Sequence, residues 1–434
     1  MKKIVYLLIM VLCLGLLFLI LPKNKCSNII HFVPFTKFDN LAENFSSRDS
    51  EQKNLITTKL YYQSLKTKYP YIIYIPENKI DTYLDKGFIA LLPWWQAKSF
   101  YKCLKIENKF FFDDPAGSLL IKSNLKSPVL PQQITKIAAG GTVVLARGIG
   151  EIIDTYKNPY LPWYGTKKIF RKADFSLVNF KSPLVYNYRP PQSRWLLYGR
   201  DSYASGLVYA GIDLVSLSGN HMGDANFSGL FDTIKILKKA GITSVGAGKT
   251  HQEAYRPYFF QHHHTLYAFF AFNSVPGSIN KASAKPKTKP GIAWLDQDAL
   301  IAVKKATKRA DIIIVITNWG KEYKAKPTPA EIKWGRKLID AGADIVLGDQ
   351  AHWVQNHEFY KDKFIAYGLG NFIFDQSWSE KTKEGILVNF YFLQNNLLNI
   401  KIIPVKLKSK GVVKIVENQK THTAIMKQFY GRQE

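Results

Sequence analysis

The chain has 434 residues, of which 46% are hydrophobic, and a formal net charge of +27 at pH 7. This length predicts two or three domains, and the hydrophobic content is ample for a large buried core. The positive excess is too large to be ordinary solvated lysine alone. It predicts an anionic partner, for example nucleic acid, anionic lipid or an acidic wall polymer.

The N-terminus predicts a membrane anchor over residues 1–25. Two lysines precede an uncharged apolar run at residues 4–21, which is long enough to span a bilayer. No small-residue cleavage site follows, so an uncleaved signal anchor is favoured over a cleaved signal peptide. The expected location is the cell membrane, with a single pass and the bulk of the chain extracytoplasmic. Such a location disfavours nucleic acid as a partner and favours envelope polymers.

The next part of the chain predicts a linker and then a small folded region. Residues 26–59 are polar and irregular, which is typical of a juxtamembrane linker. Residues 60–130 predict a small α+β region, with strands at 71–75 and 87–93 and a short helix at 81–85.

Residues 131–410 predict the main domain, because apolar strands alternate there with helical patterns. Residues 328–341 begin with a capping box, in which Pro329 takes the first helical position. Alternating strands and helices predict an α/β sheet, and a strand-rich end at 385–408 fits a layered α/β/β/α sandwich. Residues 411–434 are predicted to be a C-terminal tail. The predicted strands are 142–146, 175–178, 212–217, 242–245, 266–272, 312–316, 345–347 and 364–367, and the other predicted helices are 229–240 and 300–310.

Seven segments of the main domain occur in an order that is specific to one family. They are GGTVVLARG (140–148), ADFSLVNFKSPL (173–184), AGIDLVSLSGNHMGD (210–224), KKAGITSVGAG (238–248), ADIIIVITNWGKEYKAKPTPAE (310–331), IDAGADIVLGDQAHWVQ (339–355) and YGLGNFIFDQSWSEKTKEG (367–385). Over about residues 137–405 the chain resembles the CapA-like poly-γ-glutamate (capsule) synthesis family, which is similar to the metallophosphoesterase superfamily. The resemblance implies a metallophosphoesterase-like sandwich.

The chain departs from the family pattern at four positions that the resemblance assigns to metal ligands. Thr142 stands in place of an aspartate, Lys181 in place of a glutamate, and Asn318 and Gln350 in place of histidines. A two-metal phosphoesterase uses its ions to bind phosphate and activate water. A lysine in place of a glutamate turns attraction for a dication into repulsion, and the attraction is lost even if Lys181 points away. The pattern therefore predicts a degraded metal site that holds one divalent ion at most.

The surviving polar residues include an Asn-His pair at the end of a predicted strand. Asn220, His221 and His352 are the predicted catalytic residues. The two histidines, with Asp224 or Asp349 as the carboxylate, would form a single-metal site of nitrogen and oxygen ligands. The alternative is that both histidines only form hydrogen bonds within the cleft.

The predicted substrate-binding residues are Arg147, Asn179, Lys181, Asn318 and Asn371. In a third alternative, Lys181 and Arg147 replace the metal as fixed cations. They would then grip a phosphate or a glutamate carboxylate without hydrolysing it.

Three tryptophans also fall within the matching segments. Trp319, Trp353 and Trp378 are interpreted as core or rim aromatics, with a polymer groove as the alternative.

Three functions remain open from the sequence. The favoured one is a membrane-anchored protein that takes part in synthesis, export or anchoring of an anionic surface polymer. The second is a metal-dependent phosphoesterase or hydrolase of envelope polymers, so enzymatic activity stays undecided. The third is a relative without catalysis that only binds polyanions. The expected partners are an anionic polymer or wall component, the membrane and other capsule-synthesis membrane proteins.

Overall fold

The computed structural model describes residues 131–431, except residue 280 and residues 282–288. It also describes residues 29–37, 44–45, 55–58, 65, 69, 72–86, 88–93, 96, 98, 101–106, 109–113 and 119–122. The predicted anchor, residues 1–25, lies outside the described residues. Across the described residues, no helix combines the length and the apolar character that crossing a bilayer requires.

The chain divides into two compact units, and the first comprises Met1–Pro34, Asn44–Trp94 and Lys105–Pro131. Its sheet has the strand order β4-β3-β5-β1, with β8 antiparallel to β1. A strand, a helix and a strand lie in the predicted α+β region, where the helix α1 buries Ile80 and Leu84. The elements are residues 29–34 of β1 (Ile29–Lys37), β2 (Asn44–Phe45), β3 (Leu55–Thr58), β4 (Ile73–Ile75), α1 (Ile80–Asp85), β5 (Ile89–Pro93), β7 (Lys105–Ile106) and β8 (Leu119–Lys122).

The linker predicted over residues 26–59 differs from the structure in two segments. Residues 29–37 form β1 and residues 55–58 form β3. All four side chains of β3 are buried, and so are residues 33–36 of β1. The polar residues around these segments predicted a linker. The segments form strands because their β-branched and aromatic side chains are stabilised by burial in a sheet.

The second unit contains two sheets. The first sheet has the order β14-β13-β10-β9-β24-β25-β26, with β23 beside β9. The strands β9, β10, β13 and β14 are parallel, whereas β24 is antiparallel to β9. Their bounds are β9 (Ile134–Val143), β10 (Phe175–Phe180), β13 (Leu214–Ser216), β14 (Thr243–Val245), β23 (Asn371–Ile373), β24 (Glu384–Leu393), β25 (Asn396–Leu407) and β26 (Val413–Ile415).

The second sheet has the order β16-β17-β19-β20-β22-β21. Its central strands β17, β19, β20 and β22 are parallel. The bounds are β16 (Tyr258–His262), β17 (Thr265–Asn273), β19 (Ile312–Asn318), β20 (Ile345–Asp349), β21 (His357–Tyr360) and β22 (Lys363–Ala366). Three short pairings complete the unit: β11 (Leu184–Val185) with β12 (Gly199–Arg200), β15 (Ala247–Gly248) with β18 (Gly291–Ile292), and residues 35–37 of β1 with β6 (Tyr101–Cys103).

Three apolar clusters show how the layers of this unit pack. Side chains such as Leu177 from the first sheet and Ile314 from the second share one cluster, so the two sheets pack face to face. The helices α2, α4 and α5 cover the other face of the first sheet, and α7 and α8 cover the second. This gives the α/β/β/α layering expected from the sequence. The helices are α2 (Arg147–Tyr156), α3 (Lys167–Arg171), α4 (Ala204–Ala210), α5 (Asn226–Lys239), α6 (His251–Ala254), α7 (Gln297–Ala306), α8 (Pro329–Asp340) and α9 (Gln419–Phe429).

The predicted C-terminal tail, residues 411–434, differs from the structure because it contains β26 and α9. Ile425, Met426 and Phe429 on α9 are buried in the cluster between the two sheets. The domain therefore extends beyond residue 410. The turn that precedes α9 is polar. The helix α9 itself carries apolar residues at helical spacing, so these residues share one face, which is buried.

Candidate functional site

The polar site residues gather because parallel strands of both sheets end at one edge. Thr142 lies beside Asn179 in the register of β9 and β10, and Asn318 lies beside Asp349 in the register of β19 and β20. All four side chains are buried. The carboxyl ends of parallel strands are where α/β sheets collect functional groups.

The Asp349 carboxylate joins the two sheets at this edge. Its Oδ2 accepts hydrogen bonds from Thr142 Oγ1 at 2.6 Å and Asn179 Nδ2 at 2.5 Å. Its Oδ1 accepts the backbone N–H of Gln350 at 2.9 Å. Both carboxylate oxygens therefore already accept hydrogen bonds from protein donors. A metal ion bound by Asp349 would compete with these donors.

Lys181 places a positive charge inside the site. Its ammonium donates to Gln350 Oε1 at 3.0 Å and lies 3.9 Å from Asp349 Oδ2, and its side chain is only 1% exposed. Burial lowers the pKa of Lys181 below the usual lysine value, while the charges of Asp349 and Glu322 act in the opposite direction. Direct contact of Lys181 with a polymer stays a prediction, since this ammonium faces protein groups.

A second set of contacts connects Lys181 to His352. Gln350 Nε2 donates to Glu322 Oε1 at 3.0 Å, and His352 Nε2 lies 3.6 Å from the same oxygen. The His352 imidazole holds the pKa of Glu322 below its usual range. The Asn371 Nδ2 donates to Thr382 O. The other amide atom, Asn371 Oδ1, can only accept, and it accepts a hydrogen bond from His352 Nδ1 at 2.9 Å. The His352 ring is therefore fixed in orientation.

The loop after β20 and the chain around Asn371 have unusual backbone geometry that supports these contacts. Gln350 has φ of +99° and His352 has φ of +58°, in the region that favours glycine. Such conformations cost about 1–3 kcal/mol each and cluster at functional sites. Gly370 has φ of +72°, and a Cβ on Gly141 would lie 2.2 Å from Gly370 O. This close approach brings Asn371 beside β9.

Two buried amide oxygens of the site have no hydrogen-bond partner among the described residues, namely Asn179 Oδ1 and Asn318 Oδ1. Asn318 Nδ2 donates to Asn273 Oδ1 at 2.7 Å and lies 3.4 Å from Asn220 Oδ1. Most buried polar groups in proteins are satisfied. The site therefore retains unused acceptor capacity.

His221 and Asp224 belong to a separate network. His221 Nδ1 lies 2.7 Å from Asp224 Oδ2, and that oxygen also accepts the backbone N–H of Leu197 at 2.8 Å. Asp224 Oδ1 accepts from Ser278 Oγ at 2.7 Å. Asp224 thus ties three loops together and positions a partly exposed His221.

The predicted metal ligands are not brought into one group. In residues 131–431 and the other described segments, no three His, Cys, Asp or Glu side chains lie close enough to hold an ion. His221 and Asp224 form one network, whereas Asp349 and His352 lie at the two ends of another, which runs through Lys181, Gln350 and Glu322. Asp349 is occupied by protein donors beside an ammonium, which would repel a dication. The residues present do not fit a two-metal centre.

Arg147 lies at the start of α2. Its guanidinium hydrogen-bonds Asp375 and lies 5.1 Å from the ring of Phe374. It borders a cleft of about 920 Å³. Of the three tryptophans in the matching segments, Trp319 is buried in the core, Trp353 is half-buried, and Trp378 is exposed and lines this cleft.

Two residues of the opposite cleft wall, Arg194 and Trp195, were not predicted from the sequence. The signal was available in residues 186–200, which contain three arginines, three tyrosines and a tryptophan but no acidic residue. Basic and aromatic residues concentrated in one short loop are typical of a binding surface for anions.

Comparisons with known proteins agree on one family. A family model described as "Bacterial capsule synthesis protein PGA_cap" matches residues 136–376. A capsule biosynthesis protein CapA of Bacillus anthracis is 28% identical over 301 residues, which cover 66% of this chain and 72% of that protein. A PGA biosynthesis protein CapA of Bacillus subtilis is 30% identical over 243 residues, covering 55% of this chain and 63% of that protein.

Solved structures show weaker likeness. A hypothetical protein from Thermus thermophilus has a TM-score of 0.39 at 11% identity, covering 63% of this chain and 99% of that chain. A putative 5'-nucleotidase from Staphylococcus aureus, in complex with alpha-ketoglutarate, has a TM-score of 0.39 at 13% identity, covering 68% of this chain and 58% of that chain. The assignment rests on the sequence matches. Since the family model covers more than half of the chain, this protein belongs to the CapA-like bacterial capsule synthesis family.

Proposed function

We propose that this chain takes part in the synthesis, export or anchoring of an anionic surface polymer such as poly-γ-glutamate. The observation that carries the proposal is the family match over residues 136–376. The names of the Bacillus relatives refer to capsule and PGA biosynthesis. A net charge of +27 suits a protein whose partner is a polyanion.

In this proposal the chain binds its polymer without a two-metal centre. Lys181 supplies an internal cation that balances Asp349, and the pair ties strand ends of both sheets together. A dication at the same place would meet that ammonium at close range. The site then acts as a rigid support, and the excess positive charge of the chain holds the polymer.

A deletion and complementation experiment tests the proposal. Deleting the gene in its own host is expected to reduce the surface polymer strongly, and the wild-type gene is expected to restore it. An unchanged amount of surface polymer after deletion would contradict the proposal.

The same experiment separates this function from that of a metal-dependent hydrolase. If the protein supports the polymer without metal catalysis, His221→Ala should complement as the wild type does, because His221 contacts Asp224 rather than the Lys181 network. Metal analysis of the purified full chain should then give less than one tightly held divalent ion. A stoichiometric ion that is lost in His352→Ala would favour the hydrolase.

The membrane location is also part of the proposal, and residues 1–25 would provide the anchor. The full chain is expected in the membrane fraction, where carbonate washing does not release it. A variant that begins at residue 26 should leave that fraction if expressed with an export signal. Release of the full chain by high salt alone would show that charge, rather than the apolar run, holds it there.

A further inference from the structure

The cleft beside Arg147 has two walls that come from distant parts of the chain. One wall is the loop between β11 and β12 and includes Arg194 and Trp195; the other includes Tyr323 and Trp378. Its volume of about 920 Å³ lies near the upper end of small-molecule sites, roughly 300–1,000 Å³. A cleft of this size is large enough for a short stretch of a longer chain.

The loop wall presents a guanidinium that forms no ion pair with a described residue. Arg147 and Arg200, which also line the cleft, pair with Asp375 and Asp154, and the remaining carboxylate of the lining is Glu151 on α2. Among the described residues, the Arg194 side chain has no carboxylate partner, and its guanidinium lies 4.7 Å from the ring centre of Trp195. Arginine over an aromatic ring keeps its donors free at the edge for a carboxylate.

Both walls carry a tryptophan that the fold itself leaves uncovered. Trp195 is 67% exposed and Trp378 is 61% exposed. Tyr323 packs edge-on against Trp378 with ring centres 4.7 Å apart, and its hydroxyl accepts from Gln376 Nε2 at 3.2 Å. The Tyr323 ring therefore packs against one side of Trp378, although most of the Trp378 surface faces solvent. Large apolar side chains grouped at an exposed cleft mark a binding site.

We propose that this cleft binds a short stretch of an acidic polyamide chain, an assignment that rests on the proposed function. Carboxylates along the chain pair with Arg194, and planar amide groups stack on Trp195 and Trp378. A polymer of this kind alternates the two chemical groups that the cleft can recognise. A phosphodiester polymer offers charge but no amide planes, so it would use Arg194 and gain little from the tryptophans.

The cleft assignment is tested by binding of a fluorescent oligomer of γ-linked glutamate to the full chain in detergent. Arg194→Ala and Trp195→Ala are each expected to weaken affinity about 5- to 10-fold, since both remove a direct contact. The matched control is Arg309→Ala: Arg309 is also exposed and lies 4.4 Å from the Phe259 ring centre, outside the cleft. This control should stay within about twofold of the wild type. Equal losses in Arg194→Ala and Arg309→Ala would overturn the assignment.

A polyphosphate of similar charge serves as the second probe. Arg194→Ala should weaken its binding, whereas Trp195→Ala should leave it nearly unchanged. If Trp195→Ala weakens both polymers equally, the ligand class is not set by amide stacking and the proposal is wrong. Because both side chains are exposed, circular dichroism of each variant should match the wild type.

Complementation distinguishes failure of the cleft from failure of the proposed function. If deletion removes the surface polymer and the Arg194→Ala/Trp195→Ala variant restores it fully with unchanged oligomer binding, the cleft assignment fails and the function stands. If deletion leaves the polymer unchanged while both substitutions weaken oligomer binding, the function fails and the cleft assignment stands.

Discussion

Lys181 carries a charge in a place where an isolated charge is costly. Its ammonium and the Asp349 carboxylate are both almost fully buried, and the protein compensates each through the other and through Gln350, Thr142 and Asn179. Removing one member of such a pair leaves an uncompensated charge. The pair therefore makes the site sensitive to single substitutions.

Lys181→Met is expected to lower the free energy of unfolding by about 3 kcal/mol, because Asp349 would remain charged and buried without its cation. Urea denaturation of the full chain measures this loss. Adding Asp349→Asn to Lys181→Met should recover part of it, since the asparagine carries no charge. Strictly additive losses in the double variant would show that the two side chains do not interact.

The lowered pKa of Lys181 predicts a pH dependence of stability. Because the folded-state pKa lies below 10.5, the unfolded chain binds more protons in the interval below 10.5. Stability then rises with pH across that interval. The wild type should therefore gain unfolding free energy relative to Lys181→Met as pH increases toward 10.5. A constant or shrinking difference, measured by denaturation at several pH values, would contradict the lowered pKa.

At the scale of elements, the site depends on where strands end. The strands β9 and β10 of the first sheet and β19 and β20 of the second carry Thr142, Asn179, Asn318 and Asp349 near their carboxyl ends. The sequence pattern could predict each strand end and each polar residue, because a strand has a fixed period and a turn has recognisable residues. It could not predict which ends of different sheets meet.

The capping box of α8 is an element-level feature that the sequence predicted and the structure confirms. Glu331 N donates to Thr328 Oγ1 at 3.3 Å, and Thr328 N donates to Glu331 Oε2 at 2.7 Å. Local hydrogen bonds of this kind follow from residue spacing alone. Such motifs are therefore accessible without tertiary information.

Thr328→Ala should cost about 1 kcal/mol of unfolding free energy, because the Glu331 N–H loses its acceptor at the start of α8. Thermal and urea denaturation report the change. Thr155→Ala is the matched control: its hydroxyl bonds Glu151 O within a helix on the surface, and alanine is the better helix former. A loss in Thr155→Ala as large as in Thr328→Ala would show that the cap has no special role.

The whole molecule is strongly cationic, with 60 lysines and arginines against 33 acidic residues. Many of these charges face solvent, where salt screens their attraction for a polyanion. Long-range attraction of this kind accelerates association and tolerates different polyanions, whereas a cleft such as that of Arg194 adds selectivity.

Affinity for the γ-linked glutamate oligomer should fall steeply from about 50 mM to about 500 mM salt, because screening weakens the attraction of the cationic surface. Fluorescence anisotropy of the full chain measures the change. An uncharged polyamide of the same length is the control and should show almost no salt dependence. An affinity for the acidic oligomer that salt leaves unchanged would refute the electrostatic basis of binding.

The sequence alone determined the family, the alternation of strands and helices and the capping box, because these follow from residue order and local periodicity. Only the tertiary structure decided that Lys181 turns inward to Asp349, that Asp224 and Asp349 lie in separate networks, and that Arg194 faces the same cleft as Trp378. These contacts join residues that are far apart in the chain. Their geometry depends on the packing of two sheets and their loops, which no local pattern encodes.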